Sequence, residues 1–230
     1  MNNTWQIKIL TLFPELFPGP LGKSITGRGL DKKLWSIDTY NIRDYTNDKH
    51  RTVDDIPYGG GSGMIIKPDV LGNAIKANFN ENRIIYLSPR GKLLKQEMSR
   101  SLAQEPGLNL ICGRFEGIDE RVIERFNIEE ISIGDYILSS GDLAAYILID
   151  ACLRNIPGIL HCYGSLYEES FGSAPEYSSL LEYPQYTRPA VFDELAVPDI
   201  LLSGNHKEIK QWRLAQAKKK TAQSRPDLLK

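Results

Sequence analysis

The sequence predicts an α/β protein with a mostly parallel sheet, followed by a small helical domain. Three observations carry that prediction. Arg83–Leu87, Leu108–Cys112 and Glu130–Ile133 are short apolar runs of strand length, each ending in a polar, glycine-containing bend. Each bend leads into a helical pattern, over Lys92–Gln104, Asp119–Phe126 and Asp142–Arg154. The alternation stops at Pro157-Gly158, and helical character returns only after Pro198.

Along the chain, Ile7–Phe13 reads as a buried strand ended by Pro14, and Pro14–Phe17 as a short helical turn. Leu34–Tyr40 is a second strand. Asp44–Pro57 is charged and unpatterned, as in a surface loop, and Tyr58–Gly63 continues it as a flexible glycine turn. Pro68–Ala77 reads as a helix capped near Lys67. The three strand-and-bend units follow, their bends being Ser88-Pro89-Arg90-Gly91, Gly113–Gly117, and Gly134-Asp135 with Ser139–Gly141. Asp119 is placed to favour the start of its helix, and Asp142 to cap the long apolar one. Residues 161–184 are rich in Ser, Tyr, Gly and Glu without periodicity, which predicts a linker or lid. Ser203-Gly204-Asn205 is a turn and cap, and His206 to about Lys219 a basic helix ahead of Arg225-Pro226. The expected division is therefore 1–160, 161–184 and 185–230.

The 230 residues, 41% hydrophobic and 25% charged, suffice for a core without staples. The cysteines, Cys112, Cys152 and Cys162, are odd in number and form no Cys-x-x-Cys, so disulfides and zinc are disfavoured. The start lacks a leader pattern, and the best apolar stretch, Leu143–Ile149, stops at Asp150, so a cytoplasmic protein is expected. Net charge is −1, yet Asn205–Lys230 holds eight Lys or Arg against two acids. That asymmetry fits a contact with a polyanion and equally a solvated helix face.

Several chemistries are excluded. Gly59–Gly63 is followed by no Gly-Lys-Ser/Thr, and no G-x-G-x-x-G opens an early β-α-β unit. His50, His161 and His206 lack metal-ligand spacing, so no protein metal site is expected. No Ser-His-Asp order or nucleophile elbow is present. The run Cys112–Val122, CGRFEGIDERV, differs from a plain turn. It packs Arg, Glu, Asp, Glu and Arg between and after two glycines, directly behind a strand.

That run matches a family pattern, as do Leu12–Phe17, His50–Asp55, Pro57–Gly61, Tyr86–Pro89, Ser132–Tyr136, Tyr186–Pro189 and Leu201–His206. Taken in order, they resemble the bacterial tRNA (guanine-N1)-methyltransferases, the TrmD family of the knotted SPOUT class. The resemblance implies a trefoil knot near the C-terminal end of the sheet. It also implies transfer of a methyl group from S-adenosylmethionine to N1 of the guanosine 3′ to the anticodon. By matching positions, the methyl donor would be held by Tyr86, Leu87, Ser88, Pro89, Gly113, Glu116, Ser132, Ile133, Gly134, Asp135, Tyr136, Ile137, Leu138, Ser140 and Gly141. Glu169 would be the base for the N1 proton, Arg154 would steady charge on O6, and Glu116 would help position the reactants. Contacts to tRNA would come from His50, Arg51, Asp54, Ser165, Ser170, His206, Lys207, Lys210 and Arg213. The family further implies a homodimer with a shared active site, and magnesium for activity. This chain departs from it in carrying Glu169 where Asp is usual, with Glu168 beside it as an alternative base. Ser62, Ser140 and Ala144 also stand where Pro, Gly and Pro are usual. Two other readings stay open on the residues alone: a knotted methyltransferase acting on another RNA, and a non-catalytic RNA-binding module.

Overall fold

A computed structural model describes residues 4–161 and 163–229. The chain divides into two compact units, Met1–Leu160 and His161–Lys230.

The first unit contains β1 (Trp5–Thr11), α1 (Ser24–Asp31), β2 (Trp35–Asn41), β3 (Asp54–Asp55), β4 (Ile65–Ile66), α2 (Pro68–Asn78) and β5 (Ile84–Leu93). It continues with α3 (Gln96–Ala103), β6 (Gly107–Ile111), α4 (Glu120–Phe126), β7 (Glu129–Ser132) and α5 (Gly141–Leu153). Five strands form one sheet in the order β2-β1-β6-β5-β7, and every pairing is parallel. Parallel strands need both faces covered, which explains their near-continuous apolar character. Ile7, Ile9, Leu108 and Leu110 face a core shared with α3 and α5, including Leu102, Leu148 and Leu153. Leu10, Tyr86 and Ile111 face the opposite core, with Val70 and Leu71 of α2 and Val122 of α4.

The predicted α/β class and mostly parallel sheet agree with this architecture. Three local expectations for the first unit do not, and one helix was not anticipated. The bend Ser88–Gly91 does not end its strand. Leu87 and Lys92 both pair with Ile131, so the residues between them loop out of a strand that resumes through Leu93, and α3 starts only at Gln96. Gly91 is required there, because a Cβ would run into the backbone of Glu130 and Ile131. Asp142 does not cap α5. Ser140 is the N-cap residue, and the Asp142 side chain turns inward and is buried. The charged loop 44–57 is not wholly superficial, since Val53 is fully buried and Asp54-Asp55 pairs with β4. Finally, α1 has no counterpart in the apolar pattern. Its buried residues are Thr26, Gly27 and Gly29, small side chains that give no hydrophobic period.

The second unit contains β8 (Val191–Phe192), β9 (Leu195–Ala196), α6 (Asp199–Leu202) and α7 (His206–Ser224). Asn205 caps α7, its side chain accepting from the Glu208 N–H. The segment 161–184 is not a free linker. Ala174, Tyr177, Leu180 and Tyr183 are buried with Ala217 and Leu214 of α7 in one apolar cluster. Thr221 of α7 accepts a hydrogen bond from the Leu181 N–H at 2.8 Å and donates to the Ala217 carbonyl at 2.8 Å. The aromatic and small residues responsible are spaced irregularly along an extended path, so no period announces them. No helix of the described residues is long and apolar enough to cross a membrane.

Thr221→Val removes the acceptor for the Leu181 N–H while keeping side-chain volume. It should destabilise this packing by about 1–3 kcal/mol and accelerate exchange of the Leu181 amide in hydrogen-exchange measurements.

Candidate active site

Because β6, β5 and β7 are parallel neighbours, their carboxyl ends lie side by side, and that edge is where open α/β sheets bind ligands. The bulge 88–91, the bend 113–117 and the segment 132–141 converge there around a cavity of about 610 Å³. All the residues expected to hold the methyl donor line it except Asp135, which is exposed.

The bends are held by specific contacts. The Gly141 N–H donates to the Gly113 carbonyl at 2.9 Å, joining two of them. A Cβ on Gly141 would lie 3.0 Å from the Cys112 Cα and the Gly113 nitrogen, and one on Gly113 would press on the Tyr86 ring. Only glycine permits this approach, so the cradle stays open for a ligand. Ser132 Oγ accepts from the Gly134 N–H at 3.2 Å, and Ser88 Oγ accepts from the Arg90 N–H at 3.2 Å. The Glu116 N–H donates to the Met64 carbonyl, and the Glu116 side chain lies against Gly63, so the glycine turn reaches the cavity edge. Burial raises the Tyr86 phenol above its ordinary range, leaving it a neutral wall and donor.

Beneath the cavity lies a buried polar cluster. Asp142, 1% exposed, accepts from Thr11 Oγ1 at 2.6 Å and pairs with Arg114 at 3.2 Å. The Arg114 guanidinium lies over the Phe13 ring, 4.1 Å from its centroid. Burial, reinforced by the neighbouring Asp142 carboxylate, holds the Cys112 thiol well above its ordinary pKa range. Burial pushes the Cys152 thiol up to about 12. Neither thiol is suited to act as a nucleophile.

The cavity also gathers residues that the sequence reading did not select, among them Pro57, Tyr58, Arg90, Arg114 and Arg121. The crowding of charges in 114–121 was a visible signal for the last two. For Tyr58 the signal was the family-matching segment Pro57–Gly61, and for Arg90 its place in the bend Ser88–Gly91.

The other expected residues fall in several places. Arg154, the C-cap residue of α5, is half-buried in the first unit. Glu169 belongs to the second unit, where its carbonyl accepts from the Gly172 N–H. Its neighbour Glu168 accepts from the Tyr183 hydroxyl at 3.2 Å and pairs with Arg213 at 3.5 Å. Arg213 also lies over the Tyr183 ring, so this arginine is committed to the unit's interior. His50 and Arg51 are exposed, Arg51 being paired with Asp44, while Asp54 sits in β3. Ser170 Oγ accepts from the Glu182 N–H at 2.9 Å. His206 and Lys207 open α7 on its exposed side, and Lys210 lies 3.5 Å from Glu176. The side chain of Ser165, like Cys162, lies outside the described residues.

Comparison with known proteins gives the family. Residues 5–230 match the family described as tRNA (Guanine-1)-methyltransferase TrmD. A tRNA (guanine-N(1)-)-methyltransferase of Pelagibacter ubique (strain HTCC1062) is 49% identical over 225 residues, 97% of this chain and 96% of that protein. One from Rhodopseudomonas palustris (strain BisB18) is 52% identical over 226 residues, covering 97% and 88%. One from Anaplasma marginale (strain St. Maries) is 50% identical over 225 residues, covering 96% and 93%.

Asp142→Ala strands Arg114 and Thr11 without their buried partner. Urea unfolding should show a loss of about 2–4 kcal/mol, and Asp142→Asn, which keeps the acceptor for Thr11, a smaller one.

Proposed function

The chain belongs to the tRNA (guanine-1)-methyltransferase TrmD family, and on that premise we propose how its residues carry out the reaction. The protein is an enzyme that methylates N1 of guanine in tRNA, with S-adenosylmethionine as methyl donor. The guanosine is the one 3′ to the anticodon, position 37.

The observation that carries the site assignment is the convergence of three bends on one cavity at the edge formed by β6, β5 and β7. A cavity of about 610 Å³ lined by turn backbone, Ile133, Leu138 and the Tyr86 ring suits an adenosine with an amino-acid arm. Tyr86–Pro89, Gly113–Glu116 and Ser132–Gly141 would hold it. Bound there, S-adenosylmethionine supplies an electrophilic methyl group on a sulfonium.

The protein's own part is proton and charge management. Guanine N1–H is a weak acid, so N1 needs a base before it can attack. Glu169 takes that proton on a carboxylate oxygen. Arg154 donates to O6, where the charge of the deprotonated base accumulates. Glu116, at the cavity edge, orients the guanine. The base is assigned to Glu169 because that position matches the family's acid; Glu168 beside it is tied to Arg213 and to Tyr183. The target base must leave its stack to reach a recessed cavity, and the exposed cations of α7 grip the phosphates around it.

The same reading includes the trefoil knot. It is supported by the excursion of β5 at Ser88–Gly91 and by the bond from Gly141 to Gly113, which draws the segment after β7 across the bend after β6. It includes a homodimer as well. Leu143 and Ile147, one helical turn apart on α5, are 50% and 46% exposed, an apolar stripe suited to a second copy. Magnesium, which the family implies, finds no group of three or more His, Cys, Asp or Glu among the described residues, and no step is assigned to it. The same reading has the enzyme act in the cytoplasm, on its tRNA substrate.

Purified protein should transfer methyl groups to a tRNA with guanosine at that position and not to one with adenosine there. Glu169→Ala should lower kcat by about 100-fold or more, and Glu168→Ala should mainly lower Tm. The reverse pattern moves the base to Glu168. If the site is shared between subunits, Glu116→Ala and Glu169→Ala proteins, each inactive alone, should recover about a quarter of wild-type activity after mixing and subunit exchange. No recovery despite confirmed exchange places both residues in one subunit's site.

A further inference from the structure

The bulge of β5 is pinned by a charged cluster that has no part in the chemistry above. Arg90 sits inside the excursion 88–91 and lines the cavity. Its guanidinium bonds Glu130 Oε1 twice, from Nε at 3.2 Å and from an Nη at 3.0 Å. It also bonds Glu120 Oε2 at 2.9 Å. Glu130 belongs to β7, the strand whose pairing with β5 the bulge interrupts, and Glu120 is the first residue of α4, shortly after the bend 113–117. One cation therefore ties two of the three cavity walls to each other and to β7.

The bulge needs such a tie. Between Leu87 and Lys92 its backbone has no ladder partner in β7, and the Ser88 hydroxyl braces it only locally. An unbraced excursion of this kind samples other conformations, and a ligand that needs one of them is bound less tightly in proportion. We propose that Arg90 is a positioning residue for the methyl-donor site, holding the bulge 88–91 against Glu120 and Glu130 in the shape that accepts the cofactor. The proposal rests on reading the cavity as that site. Arg90 acts through the backbone of the bulge and touches no reacting atom.

The side chains of Arg90 and Glu120 are each 57% exposed, and that of Glu130 is 21% exposed, so each bond is individually weak and screened by salt. The network's effect should accordingly appear in cofactor affinity more than in folding. A second surface cluster provides the control. Arg83 pairs with Glu105 at 3.1 Å and with Glu129 at 3.3 Å, and it does not line the cavity.

The test is calorimetric binding of S-adenosylhomocysteine to the full chain, with Tm recorded for every variant. Arg90→Ala should weaken binding by about 3- to 10-fold, while kcat at saturating methyl donor stays within about twofold. Arg90→Lys should restore part of the affinity. Arg83→Ala should move Tm as much as Arg90→Ala does and leave binding unchanged. Glu130→Gln added to Arg90→Ala should weaken binding less than the two separate losses multiplied, the sign of direct coupling. Raising salt from about 0.05 M to about 0.5 M should erode wild-type affinity more than that of Arg90→Ala. The proposal is overturned if wild type binds and Arg90→Ala binds within twofold of it, or if Arg83→Ala weakens binding equally. Failure of wild type to bind would instead remove the reading of the cavity.

Discussion

Everything at the active edge depends on β5 lying in parallel between β6 and β7. Parallel neighbours end on the same side of a sheet, so three bends far apart in sequence become walls of one cavity. An antiparallel neighbour would send one bend to the opposite edge and leave no enclosure. The glycines at 91, 113 and 141 follow from this crowding, because each lies where a Cβ would meet the neighbouring strand or bend. The cradle is thus a consequence of sheet order first and of glycine placement second.

Charge is distributed around that cradle by depth. Asp142 is almost fully buried and is satisfied by Thr11 and Arg114, so the cavity floor has an internally neutralised ion pair. Arg90, Glu120 and Glu130 stand at the rim, where water screens them and where the bulge of β5 needs bracing. The floor therefore contributes chiefly to stability and the rim to shape. In the second unit Glu168, Arg213 and Tyr183 form another charged cluster, partly exposed, in which Glu168 accepts from the Tyr183 hydroxyl and pairs with Arg213.

Much of the fold could be read in the chain itself. The three strand-bend-helix units have strong apolar runs and unmistakable bend residues, and their order yields an α/β sheet directly. The family-specific segments pointed to residues expected to hold the methyl donor, and all but Asp135 line the cavity. Other features had no such signature. Asp142 looks like a helix cap because it stands one residue inside an apolar helix, and only the position of Thr11 and Arg114 turns it inward. Ser88–Gly91 has turn composition, and only the pairing of both Leu87 and Lys92 with Ile131 shows that it is a bulge. The packing of 161–184 onto α7 is irregular in sequence because its buried tyrosines and leucines lie on an extended path without period.

By itself the sequence determined the class of fold, the bends that matter, the basic C-terminal helix and the family. These depend on local pattern and on residue types such as glycine, whose backbone freedom is a property of the residue alone. Tertiary structure decided which charged side chains meet: Asp142 with Arg114, Arg90 with Glu120 and Glu130, Glu168 with Arg213. Such partnerships join residues up to 131 positions apart, as between Thr11 and Asp142. The physical reason is that an ion pair or a buried hydrogen bond depends on distance in space, and that distance exists only once each unit has packed its elements together.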